Sequence, residues 1–147
     1  MKQILLIGGG GHCRSCIDVI ETTTHYTVAG LVQPAAGGLD SVVGYPVLGT
    51  DKDLPNLLQK TQNALVTVGQ IKTFQVRQRI FNQLKSIGAK MPVIKASSAY
   101  CSRHAIIGQG TILMHGCIVN TNARIGDNAI INNLALVEHD VEIADHC

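Results

Sequence analysis

The chain contains no tryptophan, and aromatic residues make up only 3% of its 147 residues. That scarcity excludes an interior organised around large rings. The core has to be assembled from Ile, Val, Leu and Ala, side chains that suit tightly repeating strands. Charge is scarce too, at 15% of residues against 46% hydrophobic, with a net charge of +2. This balance excludes a disordered chain, and without a long basic run there is no footprint for nucleic acid. The longest apolar stretches, such as Ile4–Ile7, fall far short of the roughly 20 residues that span a bilayer. Residues 1–11 lack the apolar region and cleavage site of a signal peptide, a glycine run standing in their place. Five cysteines without scaffold-like spacing exclude a disulfide framework and fit a reducing compartment. What remains is a soluble cytoplasmic protein, with no membrane or nucleic-acid partner expected.

Two periods divide what is present. In the first half, the apolar run Ile4–Ile7 ends in Gly8–Gly11, and Cys16, Ile17, Val19 and Ile20 follow at helical spacing. Tyr26–Val32 reads as a second strand and Ala64–Val68 as a third, with Pro34–Gly49 between them as loop or short hairpin. Thr73–Ile87 reads as a helix with an apolar stripe of Val76, Ile80, Leu84 and Ile87, an N-cap at Thr73 and a stop at Gly88. Strands alternating with helices predict a small parallel α/β sheet with right-handed crossovers.

After Met91 the period becomes six. From His104 the chain reads HAIIGQ, GTILMH, GCIVNT, NARIGD, NAIINN, LALVEH, DVEIAD and HC. The fourth position is always aliphatic: Ile107, Leu113, Val119, Ile125, Ile131, Val137 and Ile143. The second is always small or β-branched, from Ala105 to Val141. Neither a helix nor a hairpin sheet has this period. It predicts a hexapeptide-repeat β-helix, each hexad forming one short strand and turn around an aliphatic interior. The domains expected are 1–90, Rossmann-like, and 91–147, a β-helix.

Three motifs carry chemistry. A glycine run between strand and helix lets backbone approach a diphosphate at the helix N-terminus, or simply makes a tight turn. His12 stands where the last glycine of GxGxxG would fall. Cys13-Arg14-Ser15-Cys16 invites a metal or redox reading, but zinc needs about four ligands and no partner pair exists. These cysteines are expected to fill core or loop, and no metal is expected. His139, followed by Asp140, is either a polar residue on a coil corner or a base held by its carboxylate.

LLIGGGGHCRSCIDVIE (Leu5–Glu21), GYPVLGTDKDL (Gly44–Leu54), TVGQ (Thr67–Gln70), the hexads and VEHD (Val137–Asp140) occur in this order over nearly the whole chain. In this the chain resembles the bacterial sugar O-acyltransferases: sialic-acid O-acetyltransferases and N-acetyltransferases of UDP-4-amino sugars. The resemblance implies an N-terminal Rossmann-like domain that holds a nucleotide sugar and a left-handed parallel β-helix that forms a homotrimer. It implies acetyl-CoA as acyl donor, bound in the groove between neighbouring subunits. His139 would be the base and Asp140 its carboxylate, where some relatives have Glu. Gly10, Gly11 and His12 would contact the nucleotide sugar, with Gly69 across the same pocket and Arg77 on a phosphate, while Arg79 stays solvated. The family's Asp-Asp pair after the second strand is Gln33-Pro34 here. Gln33 can still meet a base edge, so UDP-linked, CMP-linked, sialic-acid-type and free sugar acceptors all stay open. So does the choice between N- and O-acetylation.

The resemblance also implies further coils, and a second His at a position corresponding to 148. The chain is therefore expected to match the family's front two-thirds. It would be a fragment of an active enzyme, a short sugar-nucleotide-binding protein, or a trimerisation module.

Overall fold

The computed structural model describes residues 1–34 and 38–147. Lys2–Ile7 (β1) runs into Gly11–Glu21 (α1) and Tyr26–Gln33 (β2). Ser41–Val42 (β3), Tyr45–Thr50 (β4), Leu54–Lys60 (α2), Asn63–Val66 (β5) and Gln75–Ser86 (α3) follow. The sheet order is β3-β4-β2-β1-β5. Pairs among β4, β2, β1 and β5 are parallel, and β3 adds an antiparallel edge. Pro34–Gly49 therefore does contain a hairpin, although its residues 35–37 lie outside those described.

β1 is central, and both its faces are covered. Ile4 and Leu6 pack with Ile17 and Ile20 of α1, whereas Leu5 and Ile7 pack with Leu54, Ile80 and Leu84 of α2 and α3. Burial on both faces is why β1 reads as an unbroken apolar run rather than an alternation.

The inward stripe of α3 is Arg77, Ile80, Phe81 and Leu84. Of the expected stripe, Val76 and Ile87 are exposed, because the helix is turned by about one residue to seat Phe81 and Arg77. Thr73 caps from just outside the helix, its Oγ1 accepting the Gln75 N–H at 3.2 Å. Gly88, at φ +76°, ends it. α2 was not expected. Its entry is marked by Thr50 and Asp53, whose carboxylate accepts the Thr50 N–H at 2.8 Å, and by a proline in the first turn.

The β-helix starts with a strand at Ile94, ahead of the hexads read from His104 and inside the expected 91–147 span. Its nine strands are Ile94–Lys95 (β6), Tyr100–Cys101 (β7), Ile106–Ile107 (β8), Ile112–Leu113 (β9), Ile118–Val119 (β10), Arg124–Ile125 (β11), Ile130–Ile131 (β12), Leu136–Val137 (β13) and Glu142–Ile143 (β14). They stack in register as three parallel faces: β6-β9-β12, β7-β10-β13 and β8-β11-β14. The architecture is the expected α/β domain followed by a left-handed parallel β-helix. The first position of each hexad from residue 110 on is a left-handed corner, filled by Gly110, Gly116, Asn122, Asn128, Leu134, Asp140 and His146. A residue other than Gly, Asn or Asp pays about 1–2 kcal/mol there. Burying one aliphatic side chain returns about 1.5–3 kcal/mol, so the ladder at position four outweighs the two costly corners.

Face one packs on α1, with Ile94 and Ile112 fully buried, and joins the two parts through one continuous core. No helix among the described residues is long and apolar enough to cross a membrane.

Candidate functional site

β1 and β5 lie side by side, and the chain leaves them in opposite directions. In open α/β sheets such a switch point opens a crevice at the carboxyl ends of the strands. Here Gly8 turns the chain at φ +113°, and a Cβ on it would lie 2.5 Å from Val68 Cγ2. Only glycine permits that approach. α1 then starts at Gly11, with Gly10 as its N-cap, no capping side chain and no acidic residue in its first turn. Its N–H groups and positive dipole end are left for an anion.

A cleft of about 730 Å³ opens there, lined among others by Gly11, His12, Gly69, Lys72, Ile130 and Asn132. That size suits a drug-sized or nucleotide-sized ligand. The structure thus brings Gly11, His12 and Gly69 together, and a Cβ on Gly69 would sit 3.2 Å from His12 Cβ. Gly10 stands beside them at the helix cap. Gln33 does not line the cleft. It ends β2 and packs against Gly9, where a Cβ would meet its Nε2 at 2.7 Å, and against Gly38.

Arg77 corrects the sequence expectation most sharply. It is completely buried rather than set at a pocket edge. Nη1 donates to the carbonyls of Val66 (3.1 Å) and Val68 (2.7 Å). Nη2 donates to the Asn128 carbonyl (3.0 Å) and its Oδ1 (2.8 Å). With these bonds Arg77 ties α3 and the end of β5 to a β-helix corner, so it is a strut under the cleft with both terminal nitrogens taken. Its Nε is buried without a partner among the described residues rather than presented to a phosphate. Burial lowers its pKa to about 10. Its charge still reaches the cleft: burial first, and Arg77 second, pull the His12 pKa down to about 4. Arg79, by contrast, is solvated, 4.0 Å from Asp51. Cys13 and Cys16 are buried in the core, and burial raises both thiol pKa values.

His139 sits on the corner between β13 and β14, with its side chain 65% exposed. Nδ1 lies 2.7 Å from Asp140 Oδ2, so Nδ1 carries the hydrogen and Nε2 presents a lone pair to solvent. Asn122 Nδ2 donates to Asp140 Oδ1 at 2.7 Å. That bond first, and His139 next, hold the Asp140 carboxyl below its usual range. The Asp140 hydrogen bond and charge in turn raise the His139 pKa above 6.5. The sequence reading missed Asn122. The signal was present, since Asn122 precedes Asp140 by 18 residues, one full coil of three hexads.

In one chain the pair and the cleft lie apart. The cleft borders face one, at Ile130, and the corner that follows it, at Asn132. His139 occupies the corner between faces two and three. In a triangular coil that corner is opposite face one.

An α/β domain with a glycine-loop cleft, joined to a hexapeptide β-helix with a His-carboxylate corner, is the build of a hexapeptide-repeat sugar acetyltransferase. The chain belongs to the family of the PglD N-terminal domain, whose profile matches residues 3–84. PerB from Caulobacter crescentus, solved with CoA and GDP-perosamine, is 31% identical to it. The match covers 100% of this chain and 68% of that one, with a TM-score of 0.88. The acetyltransferase domain of PglB from Neisseria gonorrhoeae is 29% identical over 99% of this chain and 69% of that one, with a TM-score of 0.87. It has also been solved with acetyl coenzyme A. No curated protein sequence matches the chain.

Proposed function

We propose that this protein transfers the acetyl group of acetyl-CoA to the amino group of a nucleotide-linked amino sugar, as a homotrimer. The observation that carries the reading is the His139–Asp140 pair with a free Nε2, on the same chain as an anion-favouring glycine-loop cleft. A likeness over the whole chain to an N-acetyltransferase solved with CoA and GDP-perosamine favours nitrogen over oxygen and a nucleotide-linked acceptor. In the cleft the α1 N-terminus and Lys72 face the diphosphate. The amine attacks the thioester carbonyl as His139 Nε2 takes its proton. Asp140 steadies the imidazolium, and the proton leaves with the CoA thiol.

The opposed positions of cleft and base call for a second copy. Face two carries an outward ladder of Tyr100, Ile118 and Leu136, all exposed, with Leu134 beside it at 83% exposure. Apolar rungs on open surface mark an association face. In a ring closed through face two, the corner at one edge of that face meets the corner at the other edge in the next copy. The Asn132 side of one cleft then faces His139 of a neighbour.

Incubation with acetyl-CoA and nucleotide-linked 4-amino sugars is expected to release CoA thiol and yield the amide; neither product with any such sugar would defeat the reading. Gly11→Asp tests the cleft. A Cβ at Gly11 meets nothing within 4 Å, and a carboxylate in the first turn favours the helix. Thermal stability should therefore hold while nucleotide-sugar affinity falls by at least about tenfold, one lost charge-assisted bond being worth about 1.5–3 kcal/mol. Equal affinity would move the diphosphate elsewhere. Asp140→Asn removes the group that raises the His139 pKa, so the acidic limb of the kcat–pH profile should shift down towards 6.5 and the plateau should fall. An unmoved limb would separate Asp140 from the base.

A further inference from the structure

His12 lines the cleft with one of its ring nitrogens already engaged. Cys16 lies one helical turn further on, fully buried, with Sγ 3.3 Å from His12 Nε2. Among the described residues the Cys16 sulfur makes no other hydrogen bond. Burial pushes this thiol up to about 12, so the sulfur keeps its hydrogen. An imidazole nitrogen is a far better acceptor than a thiol sulfur, so the hydrogen runs from Sγ to Nε2. A neutral ring whose Nε2 accepts must carry its own hydrogen on Nδ1. Among the described residues Nδ1 has no protein acceptor, and the ring shares the cleft wall with Gly11 and Gly69.

We propose that Cys16 is a positioning residue that locks His12 in its Nδ1–H tautomer, so that the cleft offers one uncharged N–H donor to an oxygen of the acceptor nucleotide sugar. The proposal rests on the cleft being the acceptor's seat. It assigns His12 a reading role and removes it from proton abstraction, because the thiol occupies the one lone pair an imidazole could use. The amine undergoing acetylation is then not the group that meets His12. The donor also stays uncharged across the physiological range, since His12 gains a proton only near pH 4.

The test combines imidazole nitrogen NMR with kinetics on the same chains. The wild-type protein is expected to show His12 protonated at Nδ1. Cys16→Val keeps the volume but removes the donor. It should release Nε2, populate the Nε2–H form, and raise KM for the nucleotide sugar about threefold to tenfold, the worth of one hydrogen bond, with the effect on KM rather than kcat. Cys16→Ser, whose hydroxyl can donate to the same nitrogen, should restore both tautomer and KM. An Nε2–H ring in the wild-type protein, or a tautomer and KM indifferent to Cys16→Val, would overturn the proposal. A tautomer that follows Cys16 in a chain that binds no nucleotide sugar would overturn the seat assigned to the acceptor and leave the lock standing.

Discussion

Replacement of His139 by alanine is expected to lower kcat for acetyl transfer by about 10²–10⁴, the usual contribution of a positioned general base. The loss should be confined to turnover. In the proposed trimer the neighbour's His139 reaches only the reacting amine, while the cleft of Gly11, His12 and Lys72 holds the rest of the nucleotide sugar, so its Kd should change little. The side chain is mostly exposed, so stability should change by no more than about 0.5 kcal/mol. Thiol-release kinetics and calorimetry separate the two readouts. Unchanged turnover would remove His139 from the mechanism. Lost sugar binding would make it a main ligand of the acceptor rather than its base.

The second large effect is structural. Arg77→Met should cost about 3 kcal/mol or more, because removing the guanidinium strips donors from the buried carbonyls of Val66 and Asn128, the part-buried carbonyl of Val68 and the Asn128 amide oxygen. Part of that loss is offset by no longer burying a cation without a carboxylate partner. For a protein of this size the net change lowers Tm by about 10 °C. Arg77→Lys should lose nearly as much, since one ammonium cannot reach both the β5 end and Asn128. A variant of full thermal stability but weakened nucleotide-sugar binding would return Arg77 to the role of a phosphate ligand.

The sequence made most of this fold legible, for local reasons. The six-residue period is visible in the sequence because every hexad turns the same two positions inward, buried in the middle of the β-helix and partly buried in the hexads at Ala105, Ala135 and Val141. Within the glycine run the sterically required member is Gly8, where Val68 leaves no room for a Cβ. What stayed hidden was set by tertiary packing. The hexads of β6 and β7, inside the expected β-helix span, were not read out individually because Lys95 and Cys101 stand at their fourth positions in place of an aliphatic residue. The stripe of α3 was misplaced because an arginine stood on its inward face, and arginines are seldom buried without a carboxylate. The 3-10 turn Asp51–Asp53 that leads into α2 carries a capping signal at Thr50–Asp53 that was readable and went unread. His12, Gly11 and Gly69 were placed together by motif alone. The Cys16 bond to His12 needed only i, i+4 spacing, and Asn122 under Asp140 needed the hexads counted in threes.

The central claim is that the cleft of one subunit works with His139 of another. Assayed at sugar concentrations well below Kd, pure Gly11→Asp chains should keep no more than about one tenth of wild-type activity and pure His139→Ala chains about one hundredth or less. Unfolded together at equal amounts and allowed to assort freely on refolding, they should recover about one quarter of wild-type activity. That is the fraction of sites at which an intact cleft meets an intact neighbouring base. Recovery near that value would establish a site shared between subunits. A mixture as inactive as its components, despite demonstrated exchange of subunits, would contradict it.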